Sequence, residues 1–127
     1  MSGSAEAKFG GKACGPADKG TLAQAIPDEY YYRAAGKSVS FGDVCLTHDE
    51  CWRNACTRDI AKKCDHTFYE QLKARCDAEL GSWMYVQSNK ECNRLAKYYY
   101  DGAVSTRNIK SFPLEDHPNK GSCKTSG

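Results

Sequence analysis

Cysteine content is the feature that most limits how this chain can fold. The chain carries eight cysteines in 127 residues, spread from Cys14 to Cys123. Only 40% of the residues are apolar and the mean hydropathy is −0.70, so the hydrophobic core will be thin. Because a disulfide adds about 2–4 kcal/mol to the stability of a small domain, the sequence predicts one secreted or periplasmic domain that is held by several of them.

Charge and hydropathy argue against several classes of protein. The chain has 18 basic and 16 acidic residues and a net charge of +2, which is too balanced to predict a nucleic-acid partner. No apolar run approaches the ~18 residues of a transmembrane helix. The chain starts Met-Ser-Gly-Ser-Ala-Glu, which lacks the apolar segment of a signal peptide, so we interpret this start as that of a mature or engineered secreted protein.

Three stretches with helical spacing of apolar residues predict a mostly α-helical fold. They run from Ser40 or Phe41 to Cys56, from Ile60 to Leu80 with Gly81 as the stop, and from Asn89 to Val104. Ser40 followed by Asp43 resembles a capping box at the start of the first helix. Since each stretch has one apolar face, we expect a small, disulfide-stapled bundle of two long antiparallel helices plus a third helix.

The rest of the chain carries weaker signals. Residues 1–12 predict a flexible N-terminus, and the Gly- and Pro-rich residues 14–20 predict a loop. For residues 21–39, which include three consecutive tyrosines, we expect a short helical turn or irregular cover. Residues 105–127 contain two prolines and predict an irregular tail that a disulfide ties back to the domain.

A histidine and a carboxylate on different predicted helices carry the clearest chemical signal. His48 lies on one face of the first helix, and Asp65 lies among apolar residues of the second. A carboxylate is costly to bury without donors, and the candidate donors are the His48 ring and the Tyr69 hydroxyl. A carboxylate behind a histidine fixes the tautomer and leaves the other ring nitrogen free to accept a proton. Alternatively, Asp65 is a carboxylate near a helix N-terminus that interacts with the helix dipole.

The neighbouring residue, Asp49, suggests a metal site. It points about 100° away from His48 on a helix, so its carboxylate is free to contact a cation or a loop. The loop at residues 14–20 offers backbone carbonyls, and calcium binds carbonyl and carboxylate oxygens together. A Cys14–Cys45 disulfide would pin this loop to the first helix. The sequence therefore predicts an N-terminal metal-binding loop, with an ordinary stapled turn as the alternative.

These segments resemble parts of the secreted phospholipases A2. The segment Cys45–Cys51 is similar to the C-x-x-H-D-x-C core of the active-site helix in that family. The segments Cys14–Pro16 and Ile26–Pro27 resemble the calcium loop of its divergent, conserved-loop branch. The segments Cys64–Cys76 and Cys92–Tyr99 are similar to the second long helix, and to the helix after it, in the bacterial and fungal members.

The resemblance implies a catalytic domain over residues 13–104 that hydrolyses the sn-2 ester of glycerophospholipids in a calcium-dependent reaction. His48 would deprotonate the attacking water, and Asp65 would orient the His48 ring. The implied calcium ligands are oxygen atoms of Asp49 and of three loop residues, Ala13, Gly15 and Ala17. The implied partner is a phospholipid membrane or micelle surface that the protein binds peripherally.

Two departures from the family pattern support a second interpretation. Trp52 stands where the family usually has a tyrosine whose hydroxyl helps to hold the carboxylate, a role that Tyr69 would then take. Lys12 precedes the loop where some bacterial relatives place an acidic ligand. The alternative function is a catalytically inactive, phospholipase A2-like secreted binding or effector module, in which His48 and Asp49 are structural. A disulfide-rich inhibitor of another enzyme is a third class that the sequence permits.

The cysteine spacing leaves the disulfide connectivity open, since eight cysteines pair in many ways. We favour Cys14–Cys45 and also Cys76–Cys92, which would join the second and third helices across their loop. Cys56–Cys64 would then close the first helical hairpin and leave Cys51 to pair with Cys123.

Overall fold

The fold is mostly helical. The computed structural model describes residues 5–8, Cys14 and residues 28–126, with the side chains of Cys14 and of residues 28–123. Within these described residues there are three helices, α1 (Gly42–Arg53), α2 (Arg58–Leu80) and α3 (Val86–Ile109), and two 3₁₀ segments at Trp83–Tyr85 and Lys120–Ser126. The two long helices are α2 and α3. The first helix, α1, is shorter than predicted.

A small sheet precedes the helices. Its strands are β1 (Ala5–Lys8), β2 (Glu29–Tyr32) and β3 (Lys37–Ser40), which pair antiparallel in the order β1-β2-β3. The prediction of a helical turn or irregular cover is wrong for β2 and β3, because the aromatic residues of the tyrosine triplet favour strands. Residues 5–8 of the predicted flexible N-terminus form β1, and the rest of residues 1–12 lie outside the described residues.

The start of α1 differs from the predicted capping box. Phe41 occupies the N-cap position and makes no side-chain cap, while the Gly42 N–H lies 3.4 Å from Ser40 Oγ. The Asp43 carboxylate instead accepts two hydrogen bonds from the guanidinium of Arg75 on α2, which lowers the pKa of Asp43. The cap is therefore replaced by a contact between helices.

Both ends of the α1–α2 connection also differ from the prediction. The first helix ends at Arg53 rather than at Cys56. The second begins at Arg58 rather than at Ile60, because the Thr57 hydroxyl accepts a hydrogen bond from the Ile60 N–H at 3.2 Å and so caps the helix. Thr57 is the residue type that N-caps favour, which the sequence analysis overlooked.

A tight turn after Leu80 reverses the chain between α2 and α3. Gly81 ends α2 as predicted, with helical backbone angles rather than the left-handed ones of a usual glycine cap. A Cβ atom there would lie 2.4 Å from the Asp77 carbonyl oxygen, so the close approach requires glycine. Because α3 continues to Ile109, its predicted end at Val104 is wrong, and so is the predicted irregular structure for residues 105–109.

Four disulfides hold these elements together: Cys14–Cys45, Cys51–Cys64, Cys56–Cys123 and Cys76–Cys92. The first and last of these were predicted, but the pairings Cys56–Cys64 and Cys51–Cys123 are wrong. Cys51 lies in the last turn of α1 and faces Cys64 on the antiparallel α2. Because α1 ends at Arg53, Cys56 lies beyond the helix, where it pairs with Cys123 of the tail.

The core consists of two adjoining clusters. The larger one packs the sheet, α1, α2 and α3 around Tyr32, Phe41 and Leu72, all of which have no exposed surface. The smaller one contains Trp52, Ala55, Ala61 and Cys64, with Phe112 and Leu114 of the tail packed against it. Among the residues that the structure describes, none of the helices has both the length and the apolar content of a membrane span.

Candidate functional site

The structure brings His48 and Asp65 together across the α1–α2 interface. The His48 Nε2 lies 2.6 Å from Asp65 Oδ1. The His48 side chain keeps 7% of its surface exposed, and Asp65 has none. The two helices run antiparallel, and the Cys51–Cys64 disulfide next to Asp65 fixes their register. The imidazole therefore sits between solvent and a fully buried carboxylate.

Asp65 accepts hydrogen bonds from two further side chains. The Trp52 indole N–H donates to Oδ1 at 2.9 Å, and the Arg107 guanidinium donates to Oδ2. Trp52 thus supplies a hydrogen-bond donor to Asp65 from α1. Tyr69 is not a donor to Asp65, so that prediction is wrong; its ring stacks on Tyr100 with centroids 4.8 Å apart.

Arg107 is the site residue that the sequence analysis missed. It lies on α3 with 8% of its surface exposed and forms an ion pair with the buried Asp65. The signal was present, because Ala96, Tyr99, Ala103 and Arg107 continue the inward face of α3 at helical spacing. The predicted helix end at Val104 removed the last turn, and with it the residue that faces Asp65.

Aromatic rings hold the imidazole plane. The His48 ring stacks on Phe68 with centroids 4.2 Å apart and an interplanar angle of 28°. Trp52 lies on another side, with its centroid 4.8 Å from that of His48. These contacts, together with the hydrogen bond to Asp65, fix both the position and the rotation of the ring.

The hydrogen bonds also assign the tautomer of His48. A carboxylate accepts, so the nitrogen that faces Asp65, Nε2, carries the proton of the neutral ring. Among the described residues, Nδ1 has no hydrogen-bond partner. The lone pair of Nδ1 is therefore available to a proton donor, such as a water molecule.

Asp49 lies beside this pair with a different environment. Its side chain is exposed, yet the surrounding protein atoms desolvate the carboxylate and raise its pKa to about 6; the charge of His48 lowers this pKa and that of Asp116 raises it. Within the described part of the chain, Asp49 has no ion-pair partner. An under-compensated carboxylate with a second one nearby is a reasonable cation ligand.

Of the predicted metal loop, the structure describes Cys14. Ala13, Gly15 and Ala17 lie outside the described residues, and their role stays a prediction. Cys14 between them is 2% exposed, and its backbone N–H donates to Asp28 Oδ1 at 2.9 Å. Its disulfide partner Cys45 lies one helical turn before Asp49, so residue 14 is tied to the part of α1 that carries His48 and Asp49.

A second cluster of functional groups lies at the far end of α1. The His117 ring approaches both sulfurs of the Cys56–Cys123 disulfide, although the sequence analysis left this residue without a role. One ligand atom of each residue lies within 4.8 Å of the others, which is close enough for a shared metal ion. However, the two sulfurs are bonded to each other, and a disulfide does not supply the thiolates that such a site needs.

Comparisons with protein-family models, with curated proteins and with solved structures find no match to this chain. These comparisons therefore support no family assignment. The geometry around His48, together with the motifs that resemble the secreted phospholipases A2, is the basis for a functional proposal.

Proposed function

We propose that this protein is a calcium-dependent phospholipase A2 that hydrolyses the sn-2 ester of glycerophospholipids. The observation that carries the proposal is the His48–Asp65 pair, in which Nε2 is held at 2.6 Å and Nδ1 lacks a partner among the described residues. An imidazole that is held by a carboxylate on one nitrogen, and has no partner on the other among the described residues, is the arrangement that a general base needs.

In the proposed reaction, His48 Nδ1 accepts a proton from a water molecule. The oxygen of that water bonds to the sn-2 carbonyl carbon, the ester C–O bond breaks, and the imidazolium returns its proton to the leaving alkoxide. Asp65 keeps the ring oriented through Nε2 and offsets part of the imidazolium charge. Trp52 and Arg107 hold the Asp65 carboxylate, so that neither of its oxygens can turn away from the ring.

Asp49 would hold the calcium ion together with the carbonyl oxygens of Ala13, Gly15 and Ala17. The exposed carboxylate of Asp49 has a raised pKa and no ion-pair partner among the described residues, which fits this role. When bound, the ion supplies Lewis-acid polarisation of the ester carbonyl and stabilises the oxyanion. Among the described residues, Asp49 is the side chain that we propose as a calcium ligand.

The substrate would be presented at a phospholipid membrane or micelle surface. Four disulfides indicate an extracellular or otherwise oxidising environment. Secretion is the simplest route to such an environment, and it is part of the proposal. A secreted enzyme of this kind would act on membranes from outside the cell that makes it.

Hydrolysis of phosphatidylcholine mixed micelles that carry a labelled sn-2 acyl chain tests the proposal. We expect release of the sn-2 fatty acid with calcium and no release with a calcium chelator. The H48Q variant should lose about 10²- to 10⁴-fold in rate, the usual contribution of a general base. The matched control is H66Q, because the His66 side chain is exposed on α2 and its ring lies beside that of Tyr100. Equal rates in H48Q and the wild type would refute the mechanism.

The Arg107 ion pair favours a second candidate, a phospholipase A2-like binding or effector module without turnover. Arg107 already neutralises Asp65, so a protonated His48 would be a second cation beside one carboxylate, and its stabilisation would be smaller. In that case the cluster around Asp65 joins three helices and has no chemical role. Absence of hydrolysis in a folded protein that binds phospholipid vesicles would support this candidate, and turnover that depends on His48 would exclude it.

A further inference from the structure

The Cys56–Cys123 disulfide differs from the other three in its surroundings. It joins the residues after α1 to the end of the tail, 67 positions apart in the sequence. The His117 Nε2 lies 3.4 Å from Cys123 Sγ and 3.7 Å from Cys56 Sγ. Cys56 is partly exposed, whereas Cys123 keeps only 9% of its surface exposed. An attacking group therefore reaches Cys56 first, while His117 sits nearer to Cys123.

The backbone fixes which nitrogen of His117 carries the proton. The Asn119 N–H donates to His117 Nδ1 at 2.8 Å. Nδ1 is therefore unprotonated, and Nε2 carries the hydrogen of the neutral ring and points it at the two sulfurs. This arrangement opposes a metal site, because an imidazole that binds a metal through Nε2 carries its proton on Nδ1 and cannot accept from Asn119.

We propose that Cys56–Cys123 is a thiol–disulfide exchange site for dithiol reductants and that His117 accelerates its opening. A thiolate of the reductant attacks Cys56 Sγ, the Cys56–Cys123 bond breaks, and Cys123 leaves as a thiolate that accepts a hydrogen bond from His117 Nε2–H. The second thiol of the reductant then displaces Cys56 and closes its own disulfide. Two electrons pass to the protein, and its two sulfurs end as thiols with two protons from the reductant.

His117 accelerates this step because it stabilises the leaving group. The rate of exchange rises when the leaving sulfur is the more stable thiolate, and a nearby donor stabilises it. The other disulfides lack this device among the described residues. If exposure alone decided which disulfide is reduced first, Cys51–Cys64 would open before Cys56–Cys123, because Cys51 is more exposed than Cys56.

Opening this disulfide would also loosen the contacts behind Asp65. The tail that it tethers places Phe112 edge-on against Trp52, with ring centroids 5.5 Å apart and an interplanar angle of 90°. Leu114 of the tail also packs on the smaller core cluster that contains Trp52. Trp52 in turn donates to Asp65. Reduction would therefore expose Trp52 and loosen the Asp65 carboxylate that orients His48. An effect of reduction on hydrolysis rests on the proposed function, but the exchange reaction itself is independent of it.

Limited reduction of the intact protein with dithiothreitol tests the exchange site. Free thiols are alkylated at intervals and located by peptide mass mapping. We expect Cys56 and Cys123 to be labelled before any other pair. In H117L, opening of this bond should slow about tenfold, the effect of losing one hydrogen bond to a thiolate, and Cys51–Cys64 should then open first. H117Q, which keeps an N–H donor, should recover part of the rate.

Two results would overturn the proposal: Cys51–Cys64 opening first in the wild type, or unchanged opening of Cys56–Cys123 in H117L.

Fluorescence gives a readout that does not depend on hydrolysis. In a W83F background Trp52 is the remaining tryptophan, and its emission should shift to the red and its quenching by acrylamide should increase as Cys56–Cys123 opens. The C56S/C123S variant should show the same emission without reductant, and buried emission in that variant would refute the link to Trp52.

Discussion

Arg107 of α3 donates a hydrogen bond to Oδ2 of Asp65 on α2, and both side chains are buried. The other oxygen of Asp65, Oδ1, accepts hydrogen bonds from His48 Nε2 and from the Trp52 indole N–H, both on α1. The carboxylate is thus the point at which α1, α2 and α3 meet. Any role of His48 in catalysis depends on an interaction that also holds the fold together.

Replacing Arg107 with methionine should strongly destabilise the protein. The variant leaves a buried carboxylate without its cation, and loss of one partner of a buried pair costs about 3–5 kcal/mol. The free energy of unfolding from urea denaturation measures the effect. The double variant D65N/R107M removes both charges and should recover much of the loss. A single R107M variant as stable as the wild type would mean that the ion pair contributes nothing.

Replacing Trp52 with phenylalanine should reduce stability by about 2 kcal/mol. The change removes the indole N–H that donates to a charged, buried acceptor, and it also removes ring surface that packs on Phe112. W83F is the matched control, because Trp83 is 82% exposed, and its effect should lie within about 0.5 kcal/mol. If the two variants unfold at the same denaturant concentration, the bond between Trp52 and Asp65 is not stabilising.

Asp49 should make the calcium-free protein less stable as the pH rises. Its pKa is about 6 in the folded state against an ordinary value of 3.8. Between these values the folded state holds more protons than the unfolded state, so stability falls as the pH rises through this window and stays lower above it. Because the side chain is exposed, we expect only about 1 kcal/mol.

The D49N variant isolates that effect. Its unfolding free energy, measured with chelator on both sides of the window, should lack the part of the decrease that Asp49 causes, so D49N should exceed the wild type at the higher pH. With added calcium, the wild type should become more stable than D49N, because calcium stabilises only the protein that binds it. Calcium that stabilises D49N as much as the wild type would show that Asp49 is not a ligand.

Helical periodicity predicted the centre of the site better than its borders. The spacing of His48 and Trp52 placed them on one face of α1, and the short connection to α2 made these helices antiparallel. Together these features were enough to bring His48 to Asp65. The role of Trp52 as a donor was not predicted, because the Tyr69 hydroxyl was expected to donate to Asp65 instead.

The errors lie where structure depends on partners distant in sequence. Each strand of the sheet has only four residues, and β1 pairs with β2 across a long intervening segment, so no local pattern specified it. The end of α3 was set too early, which hid Arg107. The pairing of Cys56 depended on where α1 ends, and a difference of three residues changed its partner from Cys64 to Cys123.

The position of the proton on the His48 ring is the sharpest test of the proposed general base. Nitrogen NMR of the neutral ring, recorded at about pH 8, distinguishes a protonated from an unprotonated nitrogen, and H48Q identifies the signals. The proposed mechanism requires a proton on Nε2 and an unprotonated Nδ1, and we expect this preference to be lost in D65N. A proton on Nδ1 in the wild-type protein would contradict it, because His48 would then have no free nitrogen with which to accept a proton from water.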